Sequence, residues 1–460
     1  MLFSKSPAFM AVYDNSIDPF IPEQWANESI AILMENMVAA NLVHRDFEME
    51  FQKFGDVVNT RKPREFSAKR KGVNDDVSIQ AAEADNVAVT LNQHVHVTFL
   101  IRDGEETKSF KSLVNEYLRP AAIAMARKVD QIVLGQVYQF LENSAGSLGG
   151  LTTSNGPTHI TGTRKVMNNN KAPMDGRNLV LTSNTESLLL QNAIFIQANT
   201  VGDQGGAMAE ATLGRKFGFD MWLDQNMSSI SAQTLVSTET INNGNISVGS
   251  TVLTVNDTTG TPVPAGSWVT INGIPYHVID SDATTITLEY GLRDAITNAD
   301  EVLVYPSTTI TEPYSTGYSK EIDVASAAGI EVGQLVTIGV NATTGRDIRY
   351  TVITRNTTGT DTILLDRPLE QDILDNAVLY LGPSGDYNWA FHRNCVSLVI
   401  RPLVLPRVGT GALSGLASFN GVSMRTVITY DGTKQGHLVT LDFLAGIKVL
   451  DTPLAAVMFA

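Results

Sequence analysis

The chain has 460 residues, of which 43% are apolar and 18% charged, and this predicts a folded globular protein of two to four domains. Its longest apolar runs, such as residues 121–126, fall far short of the roughly 20 residues that cross a bilayer, so no membrane segment and no membrane partner is expected. The single cysteine, Cys395, excludes an internal disulfide, and the net charge of −15 comes almost entirely from one block of the chain.

The first predicted helix covers residues 23–43, after Pro22, because its apolar residues recur on one stripe. Strand-like alternation follows over residues 51–103 and flanks a basic run. A long helix is predicted over residues 119–142, where apolar residues recur in steps of three and four. Pro120 is compatible with the first turn of this helix, which would extend roughly 36 Å.

A connector and a second helix follow. Residues 146–157 are predicted to be a flexible connector. Residues 185–197 are predicted to form a helix, with Ser183 and Asn184 as capping residues. Strands are predicted again near the C-terminus, over residues 396–405 and 421–449.

Residues 229–383 differ sharply in composition from the rest of the chain. They contain 18 acidic and 6 basic residues, whereas the remaining 305 residues contain 30 and 27. They also lack Phe and Met and are dominated by Thr, Val, Ile, Gly and Asn. This step in composition predicts a separate, inserted domain, and its negative charge argues against DNA binding by that domain.

The acidic block contains an internal repeat. Residues 251–255 and 266–271 share their pattern with residues 320–324 and 333–338. Alternating apolar and polar residues, punctuated by Gly, Asn and Asp, predict short antiparallel strands. Because such strands bury one face by closing on themselves, two small β-barrels or sandwiches are expected. The two repeats are placed at about 244–306 and 317–383.

Few residues point to catalysis or metal binding. His94 and His96 share one face of a predicted strand, but zinc needs a third ligand that no motif supplies, so an exposed strand face is the favoured interpretation. The glycines within residues 202–206 lack the lysine of a phosphate-binding loop and indicate an ordinary loop. Cys395 is expected to be buried rather than nucleophilic. The sequence therefore predicts no catalytic residue, no metal site and no cofactor.

The strongest charged feature is a basic run in which 11 residues hold six cations, opposed by Glu65. The cations are Arg61, Lys62, Arg64, Lys69, Arg70 and Lys71. Nucleic-acid binding is one interpretation of such a run. A solvated loop whose charges pair with an acidic partner surface is the other, and the residues alone favour neither. Base stacking is not indicated, because Phe66 is the sole aromatic residue nearby.

Motifs outside the acidic block follow one another in an order and spacing that resembles a known family. They are Trp25-Ala26 and residues 40–47 (ANLVHRDF), 54–63 (FGDVVNTRKP), 118–121 (LRPA), 173–181 (PMDGRNLVL), 213–220 (LGRKFGFD), 423–425 (SMR), 430–431 (YD) and 441–450 (LDFLAGIKVL). The family is the major capsid (coat) proteins of tailed bacteriophages, which have the Hong Kong 97-like fold. The resemblance is strongest to the branch of short-tailed phages whose coat proteins carry an inserted β-domain.

The resemblance implies an α+β architecture with a role for each segment. The segments are an N-terminal arm (1–50), an E-loop region (51–105), a P-domain spine helix (106–144), an A-domain (145–228 and 384–420), an inserted all-β domain of two similar repeats (229–383) and the C-terminal strands of the P-domain (421–460). The basic run would lie near the tip of the E-loop, which favours contacts between subunits over nucleic-acid binding. Two repeats in the insert depart from the single barrel that the family pattern implies.

The implied function is non-enzymatic: a major capsid protein that self-assembles into the icosahedral shell around the genome of a tailed double-stranded DNA bacteriophage. The implied partners are other copies of the chain in hexamers and pentamers, scaffolding and portal proteins, and packaged DNA bound without sequence specificity. The implied location is the virion, after assembly in the bacterial host cytoplasm. Two alternatives remain open, an encapsulin-like cellular nanocompartment shell and a surface protein that binds glycans through its β-repeats.

Overall fold

The computed structural model of the chain describes residues 21–45, 57–63, 66–73, 76–77, 79–80, 84–106, 113–196, 213–242, 244–256, 262–318, 320–340, 347–407, 411–419 and 422–460. Half of the predicted N-terminal arm, Arg64 and residues 202–206 lie outside these ranges. No helix within these ranges is long and apolar enough to cross a membrane.

Helices and strands both contribute to the described part of the chain. The α-helices are α1 (Ile21–Asn36), α2 (Ala39–Leu42), α3 (Asp103–Glu106), α4 (Leu113–Leu134), α5 (Gly156–Asn169), α6 (Ser183–Leu190) and α7 (Ala193–Ile196). Short 3₁₀ segments cover Gly135–Phe140, Arg393–Cys395 and Thr452–Leu454. Helix α5 was not predicted from the sequence, and its buried residues Ile160 and Met167 pack into an apolar core.

The strands outnumber the helices and are short for the most part. In chain order they are β1 (Val57–Pro63), β2 (Ala84–Thr90), β3 (Gln93–Arg102), β4 (Ser144–Gly146), β5 (Arg177–Leu181), β6 (Arg215–Lys216), β7 (Phe219–Leu223), β8 (Ser229–Ile230), β9 (Ser237–Ile241), β10 (Val252–Asn256), β11 (Trp268–Ile271), β12 (Ile274–Ser281), β13 (Thr285–Leu288), β14 (Glu301–Val304), β15 (Ser307–Thr309), β16 (Ile322–Asp323), β17 (Leu335–Val340), β18 (Asp347–Asn356), β19 (Thr362–Leu365), β20 (Val378–Leu381), β21 (Gly385–His392), β22 (Val396–Arg401), β23 (Leu413–Phe419), β24 (Val422–Asp431), β25 (Gly436–Val449) and β26 (Ala455–Phe459). The fold is therefore mixed α and β.

The chain divides into two compact units, each assembled from separate segments. The first unit draws on Met1–Glu35, Val95–Met125 and Arg401–Phe443. Its sheet has β24 between β23 and β25, with β3 beside β25. Within it, Arg425 and Asp442 stand opposite each other and form a two-point ion pair, with 2.8 Å between Nε and Oδ1 and 2.5 Å between Nη2 and Oδ2.

The second unit contains a sheet built from distant parts of the chain. Its strands run in the order β4-β26-β21-β5-β7-β6, with β8 beside β21. β5 is buried along its whole length, as are the five residues of β26. Helix α5 covers this sheet, and the apolar core between them includes Leu179, Phe219 and Met458. The C-terminal strand is thereby part of this apolar core.

Two β modules of one topology also belong to the second unit. In the first module, residues 237–304, the strands close into a barrel in the order β9-β14-β11-β12-β13-β10. In the second module, residues 307–381, the order is β15-β20-β17-β18-β19-β16, and an isolated bridge between Ile310 and Val324 joins its two edges. The internal repeat seen in the sequence is therefore a repeat of strand order.

The first strand of each module lies before the start expected for its repeat. β9 begins at Ser237 and β15 at Ser307, whereas the repeats were placed from residues 244 and 317. The sequence pattern begins at β10 and β16, and the preceding strand in each module completes the sheet by pairing with the last strand, β14 or β20. That pairing depends on closure of the sheet, which local alternation does not encode.

The N-terminal helical segment is interrupted, where one helix over residues 23–43 was predicted. α1 ends at Asn36 and α2 begins at Ala39. The N–H groups of Val38 and Ala40 donate to the carboxylate of Asp130 instead of continuing the helix. A buried acceptor from another element thus breaks the helix, and no local sequence signal marks this position.

The long helix also differs from its prediction over residues 119–142. α4 begins at Leu113, so Pro120 lies inside the helix rather than in its first turn. The α-helix ends at Leu134 and continues as a 3₁₀ segment from Gly135. A Cβ atom at Gly135 would lie 3.1 Å from Cβ of Asp366, so the 3₁₀ segment begins where the chain passes close to the second β module.

Two further local predictions are corrected. Thr182, rather than Ser183 or Asn184, caps the second predicted helix by accepting the N–H of Thr185, and that helix is split into α6 and α7. Residues 146–157, predicted as a flexible connector, are tied down by main-chain hydrogen bonds. Leu148 N–H donates to the carbonyl of Gly273 at 2.7 Å in one of these bonds.

Candidate functional site

The basic run lies on a β-hairpin formed by β1 and β2. The two strands pair over seven residues each, from Val57 opposite Thr90 to Pro63 opposite Ala84. Such a two-stranded hairpin is marginally stable by itself, so packing at its base has to fix its position.

The base of the hairpin is anchored in the second unit. Val89 is fully buried and packs with Leu91, Val399 and Leu444. Gly446 of β25 approaches the hairpin so closely that a Cβ atom there would lie 2.5 Å from the carbonyl oxygen of Thr90. The hairpin is therefore held at its base by a small apolar cluster and a glycine contact.

Replacing Gly446 by alanine is expected to displace the hairpin base, because the new methyl group would meet a main-chain oxygen that cannot rotate away. Overpacking of this kind costs roughly 1–3 kcal/mol of the free energy of unfolding. Thermal unfolding measures this loss. The matched control is Gly432→Ala, where a Cβ atom meets nothing within 4 Å, and equal melting temperatures for both variants would contradict the close contact.

The tip of the hairpin is exposed throughout its described part, except for the half-buried Gln80. It carries four large apolar side chains with exposed fractions of 63–101%, namely Phe66, Val73, Val77 and Ile79. The cations Lys69, Arg70 and Lys71 are exposed among them. Monomeric proteins rarely present this many apolar side chains to water on one short loop, so the tip has the character of a surface that contacts a partner.

One side chain ties the two arms of the tip together. The amide of Gln80 accepts the N–H of Ser67 at 3.0 Å and donates to the carbonyl of Ser67 at 2.5 Å. This reciprocal pair imitates the paired hydrogen bonds of an antiparallel ladder and continues the hairpin beyond Pro63 and Ala84.

The structure distributes the six predicted contact residues along this hairpin. Arg61 and Lys62 belong to β1, opposite Asn86 and Asp85. Lys69, Arg70 and Lys71 lie in the exposed tip, and Arg64 is outside the described residues. Lys69, Arg70 and Lys71 therefore lie beyond the end of β1, the strand that holds Arg61 and Lys62, so the basic run is divided between the strand and the tip.

The other candidate residues have ordinary surroundings. His94 and His96 are both exposed on β3, and within the described ranges no group of three or more His, Cys, Asp or Glu side chains could hold a metal ion. Cys395 is fully buried, as predicted, and burial raises the pKa of its thiol well above the ordinary value. A buried neutral thiol is a poor nucleophile.

A buried charge network joins the two β modules, and we call it the junction network: His277, Glu289, Arg349, Asp366 and Arg367. Its centre is Glu289, whose Oε2 lies 2.5 Å from Nη2 of Arg349 and 3.4 Å from Nδ1 of His277. Glu289 and His277 belong to the first module and Arg349 to the second. One carboxylate therefore holds a cation from the neighbouring module.

Burial by itself would raise the pKa of Glu289. The hydrogen bond from His277 and the charges of Arg349 and His277 oppose this effect and lower the pKa to about 2. The Arg349 guanidinium also lies 5.4 Å from the centre of the Trp268 ring, which adds a cation–π contact inside the first module. Glu289 therefore remains ionised across the physiological range.

The second half of the junction network binds the 3₁₀ segment that follows α4. Asp366 accepts hydrogen bonds from Thr351 N–H at 2.8 Å, from Arg367 at 3.0 Å and from Gln136 at 3.3 Å. Thr351 in turn donates its hydroxyl to the carbonyl of Gly135 at 3.0 Å. Burial would lower the pKa of Arg367, but the charges of Asp366 and its neighbours raise it, so the arginine stays charged.

A cavity of about 480 Å³ separates the hairpin base from the junction network. Its lining is mixed and mostly polar, and includes Thr90, Gln136, Gln139, Arg349, Arg367 and Lys448. Polar and charged side chains thus face this cavity from the hairpin, from the 3₁₀ segment after α4 and from the second β module.

No part of the junction network was predicted from the sequence. Its residues are spread over about 90 positions and belong to four strands or loops. The one available signal was the presence of six basic residues in an acidic block, two of which, Arg349 and Arg367, lie in or next to strands of the second repeat. Buried arginine is rare unless it is paired, so these residues could have been marked as ion-pair candidates.

No protein-family model and no curated protein matches the sequence. Among solved structures, the capsid structure of the cyanophage P-SCSP1u is similar to 92% of this chain and 88% of its own, with 11% identity and a TM-score of 0.45. A structure titled Mycobacterium phage Che8 matches 92% of this chain and 90% of its own, with 14% identity and a TM-score of 0.42. The asymmetric unit of the mature capsid of bacteriophage PhiM1 matches 88% and 82%, with 7% identity and a TM-score of 0.41.

Proposed function

We propose that this chain is the major capsid protein of a tailed double-stranded DNA bacteriophage and that many copies of it form an icosahedral shell. The observation that carries the proposal is the exposed hairpin tip, which a single copy of the chain does not bury. Apolar side chains presented on an extended loop gain stability by contact with another molecule, and a shell supplies that contact many times over.

The proposed arrangement follows the Hong Kong 97-like fold. The hairpin at residues 57–90 acts as the E-loop, α4 as part of the spine helix, and the two β modules as an inserted domain on the outer surface. Lys69, Arg70 and Lys71 of one copy meet carboxylates of a neighbouring copy. The negative charge of residues 229–383 supports this pairing, because opposite charges steer association and set the register of an interface.

Further partners belong to the same proposal. Hexamers and pentamers of the chain build the shell, scaffolding and portal proteins control its assembly, and packaged DNA is enclosed without sequence-specific contacts. Assembly takes place in the host cytoplasm, and the role is structural rather than enzymatic. The negative charge of the acidic block supports the proposal that this chain binds DNA only weakly, because like charges on protein and phosphate repel.

Electron microscopy of the purified recombinant chain tests the proposal. We expect closed shells with outward knobs, formed by the chain alone or after co-expression with a scaffolding protein. A monomer or small oligomer under every condition, together with absence of the chain from particles in a phage lysate, would contradict the proposal. In that case a glycan-binding screen of the β modules becomes the next experiment.

A further inference from the structure

The chain between α1 and α2 is held by two carboxylates from other parts of the second unit. Asp130 of α4 accepts the N–H of Val38 on Oδ2 and the N–H of Ala40 on Oδ1, both at 2.9 Å. The N–H of Ala39, between them, interacts with the carboxylate of Asp224, which follows β7. Three consecutive main-chain N–H groups thus face two acidic side chains.

Both carboxylates are removed from water. The exposed fraction is 1% for Asp130 and 3% for Asp224. Oδ1 of Asp224 accepts the main-chain and side-chain N–H groups of Asn226, at 2.8 and 3.0 Å. Its other oxygen, Oδ2, is buried without a hydrogen-bond partner among the described residues. An ionised carboxylate with an oxygen left unbonded in such a place is costly, and its negative charge makes a second negative charge on Asp130 costlier still.

The two groups also act on each other. Burial and then the negative charge of Asp224 raise the pKa of Asp130 to about 7, while the hydrogen bonds from Val38 and Ala40 lower it. Burial likewise raises the pKa of Asp224. On α4, the neighbouring Arg127 is exposed, and the charge of Lys128 interacts with Asp366. Asp224 is therefore the charged group whose field acts on Asp130.

We propose that Asp130 and Asp224 form a proton-controlled clamp on residues 37–40, which is closed while the pair carries a proton and loosens when both carboxylates are ionised. On opening, the proton passes to solvent and the two like charges separate. The closed state binds a proton that the open state does not retain near neutral pH, so its stability falls as the pH rises from about 4 towards 7 and is lowest above 7. The clamp is a property of the single chain and does not depend on the proposed function.

Hydrogen–deuterium exchange measured by mass spectrometry on the full chain tests the clamp. After correction for intrinsic exchange, the protection of amides 38–40 is expected to decrease about tenfold between pH 6 and pH 8, as follows from a group with a pKa near 7 in the closed state. Val457, whose N–H donates to the carbonyl of Asn143, serves as an internal reference that should not change. An unchanged protection of amides 38–40 over this range would overturn the proposal.

Two variants distinguish opening of the clamp from a general loosening of the folded chain. In Asp130→Asn, protection of amides 38–40 should be lower at pH 6 but vary less than twofold with pH, because the titrating group is gone. In Asp224→Asn, which removes the facing charge, the transition should move to lower pH. A tenfold change that persists in Asp130→Asn would refute the assignment, and so would equal changes at Val457. If either variant misfolds, the wild-type exchange profile still decides the question.

Discussion

Reversing the three tip charges, with Lys69, Arg70 and Lys71 replaced by Glu, is expected to abolish shell assembly while leaving the fold of the single chain unchanged. The side chains are exposed and lie outside every apolar core of the described residues, so their replacement should change stability by less than about 0.5 kcal/mol. An interface that places like charges opposite each other loses several kcal/mol per contact site, and a shell repeats that loss at each subunit. Light scattering and electron microscopy measure assembly, and circular dichroism checks the fold.

A control with the same change in net charge distinguishes the tip from a general charge effect. Lys165, Lys171 and Lys434 are exposed cations outside the hairpin, and their replacement by Glu should leave assembly intact. Loss of assembly in this control as well would assign the effect to net charge. Normal shells from the tip variant would remove the hairpin from the interface.

Replacing Arg349 by Ala is expected to destabilise the β modules strongly. Glu289 would remain buried without its arginine partner, since its side chain is 6% exposed and Arg349 is its closest cation. Removing one partner of a buried ion pair costs about 3–5 kcal/mol. Urea unfolding followed by tryptophan fluorescence measures the loss, because Trp268 is fully buried beside Arg349.

Further variants show whether this loss comes from the ion pair. Arg215 is 60% exposed and lies 3.7 Å from Asp220, so Arg215→Ala should change the free energy of unfolding by less than about 0.5 kcal/mol. Adding Glu289→Gln to Arg349→Ala should restore part of the stability by removing the unpaired charge. Because the pKa of Glu289 is lowered from 4.5 to about 2, its contribution is present above pH 4.5 and lost as the pH falls towards 2. An equally large loss in the double variant would contradict the ion-pair explanation.

The sequence by itself determined the strands of the β modules. Alternation with a period of two is local, and it places β10, β11, β16 and β17 close to where the structure has them. The likeness of the two repeats also predicted two similar β modules, because equal patterns of strands and turns favour the same local structure. The type I′ turn at Asn272 and Gly273, both with positive φ, is likewise encoded locally.

The position of Lys69, Arg70 and Lys71 near the tip of an extended hairpin was implied by the resemblance to phage coat proteins, and their charge favours exposure to solvent. The contacts that anchor the base of the hairpin could not be predicted from the sequence. The contact between Gly446 and Thr90 joins residues more than 350 positions apart, and nothing local in either segment identifies the other.

The tertiary structure alone decided the helix ends and the buried charges. α1 stops because Asp130 captures the N–H groups of Val38 and Ala40. The 3₁₀ segment after α4 is bound by Asp366 and Thr351 of the second β module. The pairing of Glu289 with Arg349 likewise depends on contact between the two modules. Propensity and periodicity describe each segment by its own residues, whereas hydrogen bonds and ion pairs between distant segments exist only once the chain has brought them together.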